Sequence, residues 1–532
     1  MVSLDKNRSS VRYFWIVIVI LIVGFTIFFA SNLYKSDFEQ NEKVVLHDEI
    51  PDQYDLRDYN LITPVKEQNG QKPDGSTDLG TTVGLCWSFA SLSSLESNML
   101  KQNIVKSPEN SEVNFSPWYL GNYIGYNSPC YEHNSNIIPN AEPSTSFGYY
   151  SFDTSSWGGA GSSWVADYLI SGKKLPLWKD SPMPYSDMNA KRTLAKPEPD
   201  LGKQYIIDSM QILFRDDFDN KNEYYDSIKK YILKHGAIQS FIHLEVIDTE
   251  GIEKEVCNGA TYTGHRFMDK QNYNLYTYTT DNLCTSLYTH AVAIAGWDDN
   301  RKIEIDGHKT TGAWLIKDSM GQKAYDNGYF WVAYDDQVLL TYFASGIIAS
   351  KNQSYKHPSF YQTHSGGLSE SDSDDYEEDS LIELGNYNYL LNGFKDKNSW
   401  GFAEFELKNN ETLKAIGIFT SNPDEKVTVN VYKNSVDSEV LFSKEFEVEY
   451  AGYHILDFQE NIFFKKGEVI VVGIGFENSE RSKLPLVYTK NNNYNYTHST
   501  YYATYEDNKF ELNKYSDFCE NCSLYMQAIV SK

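Results

Sequence analysis

Residues 365–380, SGGLSESDSDDYEEDS, constrain what this chain can fold into more than any other stretch. They hold seven acidic side chains and only two large apolar ones. Such a run cannot bury a core, so it reads as a linker or surface loop that separates regions of different texture. We place the linker at 351–380, between a mixed α/β region at 51–350 and an all-β region at 381–532. Upstream, Trp87, Leu92, Leu95 and Met99 form a helical stripe over 86–101. A second amphipathic helix, KNEYYDSIKKYILKH at 221–235, ends at Gly236. Strands are predicted at 237–246, 290–298, 311–319 and 328–334. Downstream, apolar or alternating runs at 415–421, 427–433, 440–450, 453–458 and 468–476 are separated by turns such as NPDE (422–425) and KKGE (465–468). That spacing predicts a β-sandwich.

The other end of the chain sets the compartment. Residues 13–30, YFWIVIVILIVGFTIFFA, carry no charge, and Lys6, Arg8 and Arg12 precede them. We read a cytoplasmic tail at 1–12, a transmembrane anchor at 13–30 and a spacer at 31–50, with the bulk outside the cytoplasm at the cell surface. A cleaved signal peptide, giving a secreted protein, is the competing reading. A small-x-small cleavage site fits poorly where Ala30 follows Phe28 and Phe29, so the anchor is favoured. The formal charge of −26 argues against nucleic acid as a partner. Disulfides are permitted outside the cytosol. Cys257 and Cys284 could staple a tyrosine-rich insertion, and Cys519 and Cys522 a small loop. Cys86 and Cys130 are then left as free thiols. No second Cys pair or nearby histidine gives the CENC a zinc site, and nothing in the sequence calls for a cofactor.

Cys86 stands at the start of a helix, where a thiolate is stabilised. A nucleophilic cysteine also needs an imidazole and a group to orient it. His290 opens the apolar strand THAVAIAGWDD, and Asp318 ends the next strand in LIKDSMG. PVKEQ (64–68), CWSFA (86–90), HAVAIAGW (290–297), WLIKDSMG (314–321) and NGYF (327–330) stand in one order. Together they resemble the papain-like cysteine peptidases over roughly residues 50–345. That family shows Pro-Val-x-x-Gln, Cys-Trp-x-Phe-Ala, His-Ala-Val, Trp-x-x-Lys-Asn-Ser-Trp-Gly and Gly-Tyr-Phe segments. YDLRD (54–58) resembles the usual start of the mature enzyme. The resemblance implies an α+β two-lobed peptidase domain, with a helical lobe and a β-barrel-like lobe. It implies Cys86 as nucleophile, His290 as base and then acid, and Asp318 as orienting group. Gln68 would supply an oxyanion donor beside the backbone N–H of Cys86. Trp157, Gly158 and Gly159, in WGGAGSSW, match the stretch that lines the substrate groove. The C-terminal strands resemble the jelly-roll, lectin-like domain attached to some prokaryotic members. That implies a cell-envelope glycan or protein as a further partner, beside a peptide or protein substrate.

Four features depart from the family pattern. Residues 69–83 form an inserted loop between Gln68 and Cys86, which threatens the oxyanion site. Asp318 replaces asparagine, and a carboxylate raises the pKa of its histidine. Met320 replaces the tryptophan that shields this hydrogen bond, which would let water in. A long interval between Cys86 and His290 points to insertions at 121–160 and 247–289. About 20 residues between the apolar segment and YDLRD leave no room for an inhibitory prodomain of the usual size. The leading expectation is a membrane-anchored cysteine endopeptidase acting through an acyl-enzyme. The alternative is an inactive scaffold serving as a surface adhesin. A transpeptidase would share the acyl-enzyme and differ only in its acceptor.

Overall fold

The computed structural model describes residues 49–68, 85–105, 113–117, 119–120, 165–166, 169, 174–180, 202–242, 253–257, 260–269, 271–279, 290–305, 307–351, 359–362, 381–383, 388–392, 399–420, 422–476, 484–488, 500–506, 509–514 and 522–531. The expectations for residues 1–48, the 69–84 loop and the 365–380 run therefore lie outside the described residues. So do Trp157, Gly158 and Gly159, and the side chains of every cysteine except Cys86. Asp52–Lys532 forms one compact unit, separate from Met1–Pro51. Among the described residues no helix is long and apolar enough to cross a membrane.

Helix α1, Cys86–Lys101, is the centre of the mixed region. Every residue from Cys86 to Leu100 is buried, so the apolar stripe read from sequence understates it. A helix covered on all sides must satisfy its polar side chains internally. Ser88 Oγ donates back to the Leu85 carbonyl at 2.8 Å, and Ser97 Oγ donates to the Leu61 carbonyl at 2.6 Å. Ser97 Oγ also accepts from the Ala237 amide. Helix α2, Lys221–His235, starts on Asn220, whose side chain accepts from the amides of Asn222 and Glu223. It stops at Gly236, whose φ of +97° suits glycine and where a Cβ would press on Ser97.

Strand β1 is Gln53–Asp55, β2 Ile207–Phe214, β3 Ile238–Ile242, β4 Glu253–Cys257, β5 Ala260–Asp269 and β6 Asn274–Thr279. The long pair β7 (His290–Ile305) and β8 (His308–Lys317) follows, then β9 (Tyr329–Ala333) and β10 (Phe343–Ala349). β7 and β8 are antiparallel, with Ala293 opposite Lys317 and Trp297 opposite Trp314. β3 lies on the other side of β7, with Ile242 opposite His290. The first residue of β7 and the last of β8 thus emerge at one end of the sheet, against α1.

The C-terminal strands are β11 (Ser359–Gln362), β12 (Ser399–Glu406), β13 (Glu411–Thr420), β14 (Glu425–Lys433) and β15 (Val440–Val448). They continue with β16 (Ala451–Phe464), β17 (Val469–Phe476), β18 (Thr500–Glu506), β19 (Lys509–Lys514) and β20 (Met526–Ser531). β15-β14-β17-β12-β18-β19 make a six-stranded sheet. Its inner face packs Phe405, Val427, Val429, Ile470 and Ile474 against Ile416, Ile418, Leu456 and Met526 from the facing strands. This is the expected sandwich.

The facing strands are not a separate sheet. The order is β11-β20-β13-β16-β2-β10-β3-β7-β8-β9-β6-β5-β4, with β1 also on β7. The seam is β16 on β2, antiparallel, from Ala451 opposite Ile212 to His454 opposite Ser209. Gly452, at φ +126°, sits so close there that a Cβ would strike the Met210 carbonyl oxygen. Phe419 on β13, Tyr453 on β16 and Tyr525, just before β20, pack in the same core as α1.

Candidate active site

Two β-strand ends and one helix end build the site. Cys86 is the first residue of α1, His290 the first of β7, and Asp318 follows the last residue of β8. His290 Nε2 lies 2.7 Å from Asp318 Oδ1. The carboxylate can only accept, so Nε2–H is the donor, which leaves Nδ1 for the hydrogen bond to Cys86. Asp318 is fixed in turn: its amide donates to the Gly328 carbonyl, and its Oδ1 accepts from the Ser319 amide at 2.7 Å.

The charges follow from these contacts. Burial works to push the Cys86 thiol up, but the hydrogen bond and charge of His290 outweigh it. The amides of Ala291 and Trp87 act in the same direction, and the thiol falls below its ordinary value. Burial also opposes a charged His290, yet the Asp318 carboxylate and Cys86 raise it to about 10. The favoured state is a thiolate–imidazolium pair at a helix N-terminus.

Gln68 joins the same group through Ser319. Its amide donates to the Ser319 carbonyl at 2.7 Å, and its Oε1 accepts from Ser319 Oγ at 2.7 Å. With Oε1 occupied, the side-chain amide is fixed in one orientation. The 69–83 loop therefore leaves Gln68 tied to the residue next to Asp318. Sequence reading did not single out Ser319, although it stands inside the WLIKDSMG block. Met320 in place of tryptophan does not open the triad to bulk solvent, contrary to the expectation. His290 and Asp318 are each only 4% exposed.

Below the triad is a buried ionic group that sequence reading also missed. Glu96, fully buried on α1, takes Lys66 Nζ on Oε1 at 2.5 Å, the Phe115 amide on Oε1 and the Thr63 hydroxyl on Oε2. Lys317 Nζ donates to Thr63 Oγ1 at 3.0 Å. The signal was a lysine inside each of two apolar motif blocks, PVKEQ and WLIKDS. Among the described residues no cluster of His, Cys, Asp and Glu has the arrangement of a metal site.

Comparison with known proteins gives this geometry a context. Residues 180–350 match the family described as Papain family cysteine protease, and residues 379–528 match the Lectin like domain. The first match includes His290 and Asp318 and begins downstream of Gln68 and Cys86. No curated protein matches the chain. Among solved structures, the cysteine protease and lectin-like domains of Cwp84, a surface layer associated protein of Clostridium difficile, superpose with a TM-score of 0.58 at 18% identity. That match covers 91% of this chain and 89% of the other. A clostridial Cwp84 cysteine protease after propeptide cleavage gives 0.55 at 19% identity, covering 90% of this chain and 99% of that one. At such identities the likeness is one of fold, extending through both regions.

Proposed function

We propose, from the premise that this chain is a papain-family cysteine peptidase with a lectin-like domain, that Cys86, His290, Asp318 and Gln68 form its catalytic centre. The observation that carries this is the buried imidazole of His290, bonded to Cys86 on one side and Asp318 on the other. The Cys86 thiolate attacks the carbonyl carbon of an extended peptide, and the carbonyl oxygen becomes an oxyanion. The Cys86 amide and the Gln68 side-chain amide donate to it. As the C–N bond breaks, the imidazolium of His290 protonates the leaving amine. Water then attacks the acyl-enzyme, His290 takes its proton, and the thiolate leaves. Asp318 keeps the imidazole in one tautomer throughout.

The working place we propose is the cell surface. The apolar segment 13–30 would hold the chain at the membrane, and the C-terminal region would hold an envelope glycan or protein. Likeness of fold to a surface layer associated protein supports that placement. Alkylation of Cys86 by iodoacetamide tests the centre directly. Labelling is expected to be fast at pH 5–6, well below an ordinary thiol pKa of about 8.5, and to slow sharply in His290→Ala. Cys86→Ala should cleave no peptide from a mixed library while melting as the wild type does. Wild-type cleavage by that variant would sink the assignment.

A further inference from the structure

The ionic group beneath the triad is unbalanced. Lys66 and Lys317 are both buried, and Glu96 is the carboxylate bonded within the group. Lys66 takes it directly, while the ammonium of Lys317 bonds only the neutral Thr63 hydroxyl. A buried ammonium with donor hydrogens to spare is costly. Asp318 has the opposite defect. Its Oδ1 takes two donors, whereas its Oδ2 is buried and has none.

Both residues line one cavity of about 10 Å³, together with Lys66, Ser93 and Ser319. That is about the space of one water, and the walls supply the polar partners a buried water needs. We propose that one water in this cavity donates to Asp318 Oδ2 and accepts from Lys317 Nζ, making Lys317 a positioning residue for the catalytic centre. This rests on the triad reading above. What this chain changes is the neighbour: beside the lysine of the family's Trp-x-x-Lys-Asn pattern stands Asp318, whose negative charge asparagine would lack and for which the lysine supplies a counter-charge.

The consequence is electrostatic. The groups facing Lys317 are Lys66 from the N-terminal segment, Glu96 on α1, Asp318 beyond β8, and Tyr329, its strand partner on β9. Burial lowers Lys317 to about 7, with Glu96 opposing that shift and Lys66 adding to it. Near neutral pH the lysine gains or loses its charge, and the triad should register it.

The test is the pH profile of Cys86 alkylation by iodoacetamide. The wild type should show an inflection near pH 7 above its acid limb. In Lys317→Met that inflection should vanish, and the acid limb should move up by on the order of one pH unit, because a carboxylate without its cation protonates more readily. In the Asp318→Asn background, the same substitution should leave the limb in place. Equal shifts in both backgrounds, or none in the first, would overturn the proposal. A merely structural lysine would lower the melting temperature and leave the profile alone. If Lys317→Met does not fold, a high-resolution crystal structure of the wild type decides. Density for a water within hydrogen-bond distance of both atoms supports the assignment, and an empty or apolar-filled cavity rejects it. A wild-type Cys86 that labels only near pH 8.5 would instead indict the triad reading, and the crystal structure would still decide the water.

Discussion

The interiors around α1 and between the sandwich sheets are built from opposite materials. Around α1, the helix buries Ser88, Ser91, Ser93, Ser94, Glu96, Ser97 and Asn98 beside its apolar residues. The sandwich core is dominated by apolar side chains, from Ala403 to Val530, with a few buried polar groups such as Thr420, Glu425 and Gln527 on the same strands. An apolar core stabilises in proportion to the area it buries and tolerates exchange of similar volumes. A polar core stabilises only when each group is paired, but it fixes side chains in direction. The peptidase region needs direction at the N-terminus of α1. The sandwich needs only to hold together.

Substitutions can break this contrast, and the largest effect should come from the polar side. Glu96→Ala leaves Lys66 and Lys317 buried without their carboxylate, at a cost of about 3–5 kcal/mol. Urea melts should show that loss, and Cys86 alkylation should slow, since α1 carries both residues. Gly452→Ala attacks the seam, placing a side chain at φ +126° against the β2 backbone. A loss on the order of 3 kcal/mol is expected, with tryptophan fluorescence and near-ultraviolet dichroism ceasing to melt together. If the two probes stay coincident, β16 and β2 are less central to cooperativity than the shared sheet implies. Val429→Ala, deep in the sandwich, should cost about 2 kcal/mol and leave Cys86 alkylation unchanged, which sharpens the division.

The seam should also respond to acid. His454 is buried on β16 with its Nε2 at the Tyr450 carbonyl, and burial lowers it to about 4. Since its folded pKa lies below the unfolded 6.5, its contribution is fully present above pH 6.5. That contribution is lost as pH falls through this value toward 4. The loss amounts to about 3 kcal/mol, and His454→Gln should flatten that part of a stability-against-pH curve. Smallest of all, Asn220→Ala removes the cap of α2 and should cost about 1 kcal/mol, with no effect on alkylation.

Much of this was legible in the residues. The helices at 86–101 and 221–235 appear with the expected ends, because periodicity and the Asn220 and Gly236 signals are local. Five sandwich strands fall where alternation placed them, β16 lengthened by several residues and β15 ending early, whereas β12, β18, β19 and β20 were not read from the sequence. Cys86, His290 and Asp318 were singled out because five motif blocks stand in order, and the structure brings the three side chains together. Gln68 was found the same way, but its anchoring by Ser319 could not be read, since that bond joins residues 251 positions apart. The Lys66–Glu96–Thr63–Lys317 group escaped notice for the same reason.

The sequence by itself determined the two textures, both helices, several of the strands and the residue types that meet at the site, because each is written in short-range pattern and residue type. Tertiary structure alone decided three things. It joined the two textures into one sheet across β2 and β16. It buried the His290–Asp318 bond without the expected tryptophan. It set a lysine bonded only to a hydroxyl and an unpaired carboxylate oxygen around one small cavity. These depend on which distant segments approach, and on the low dielectric they create together.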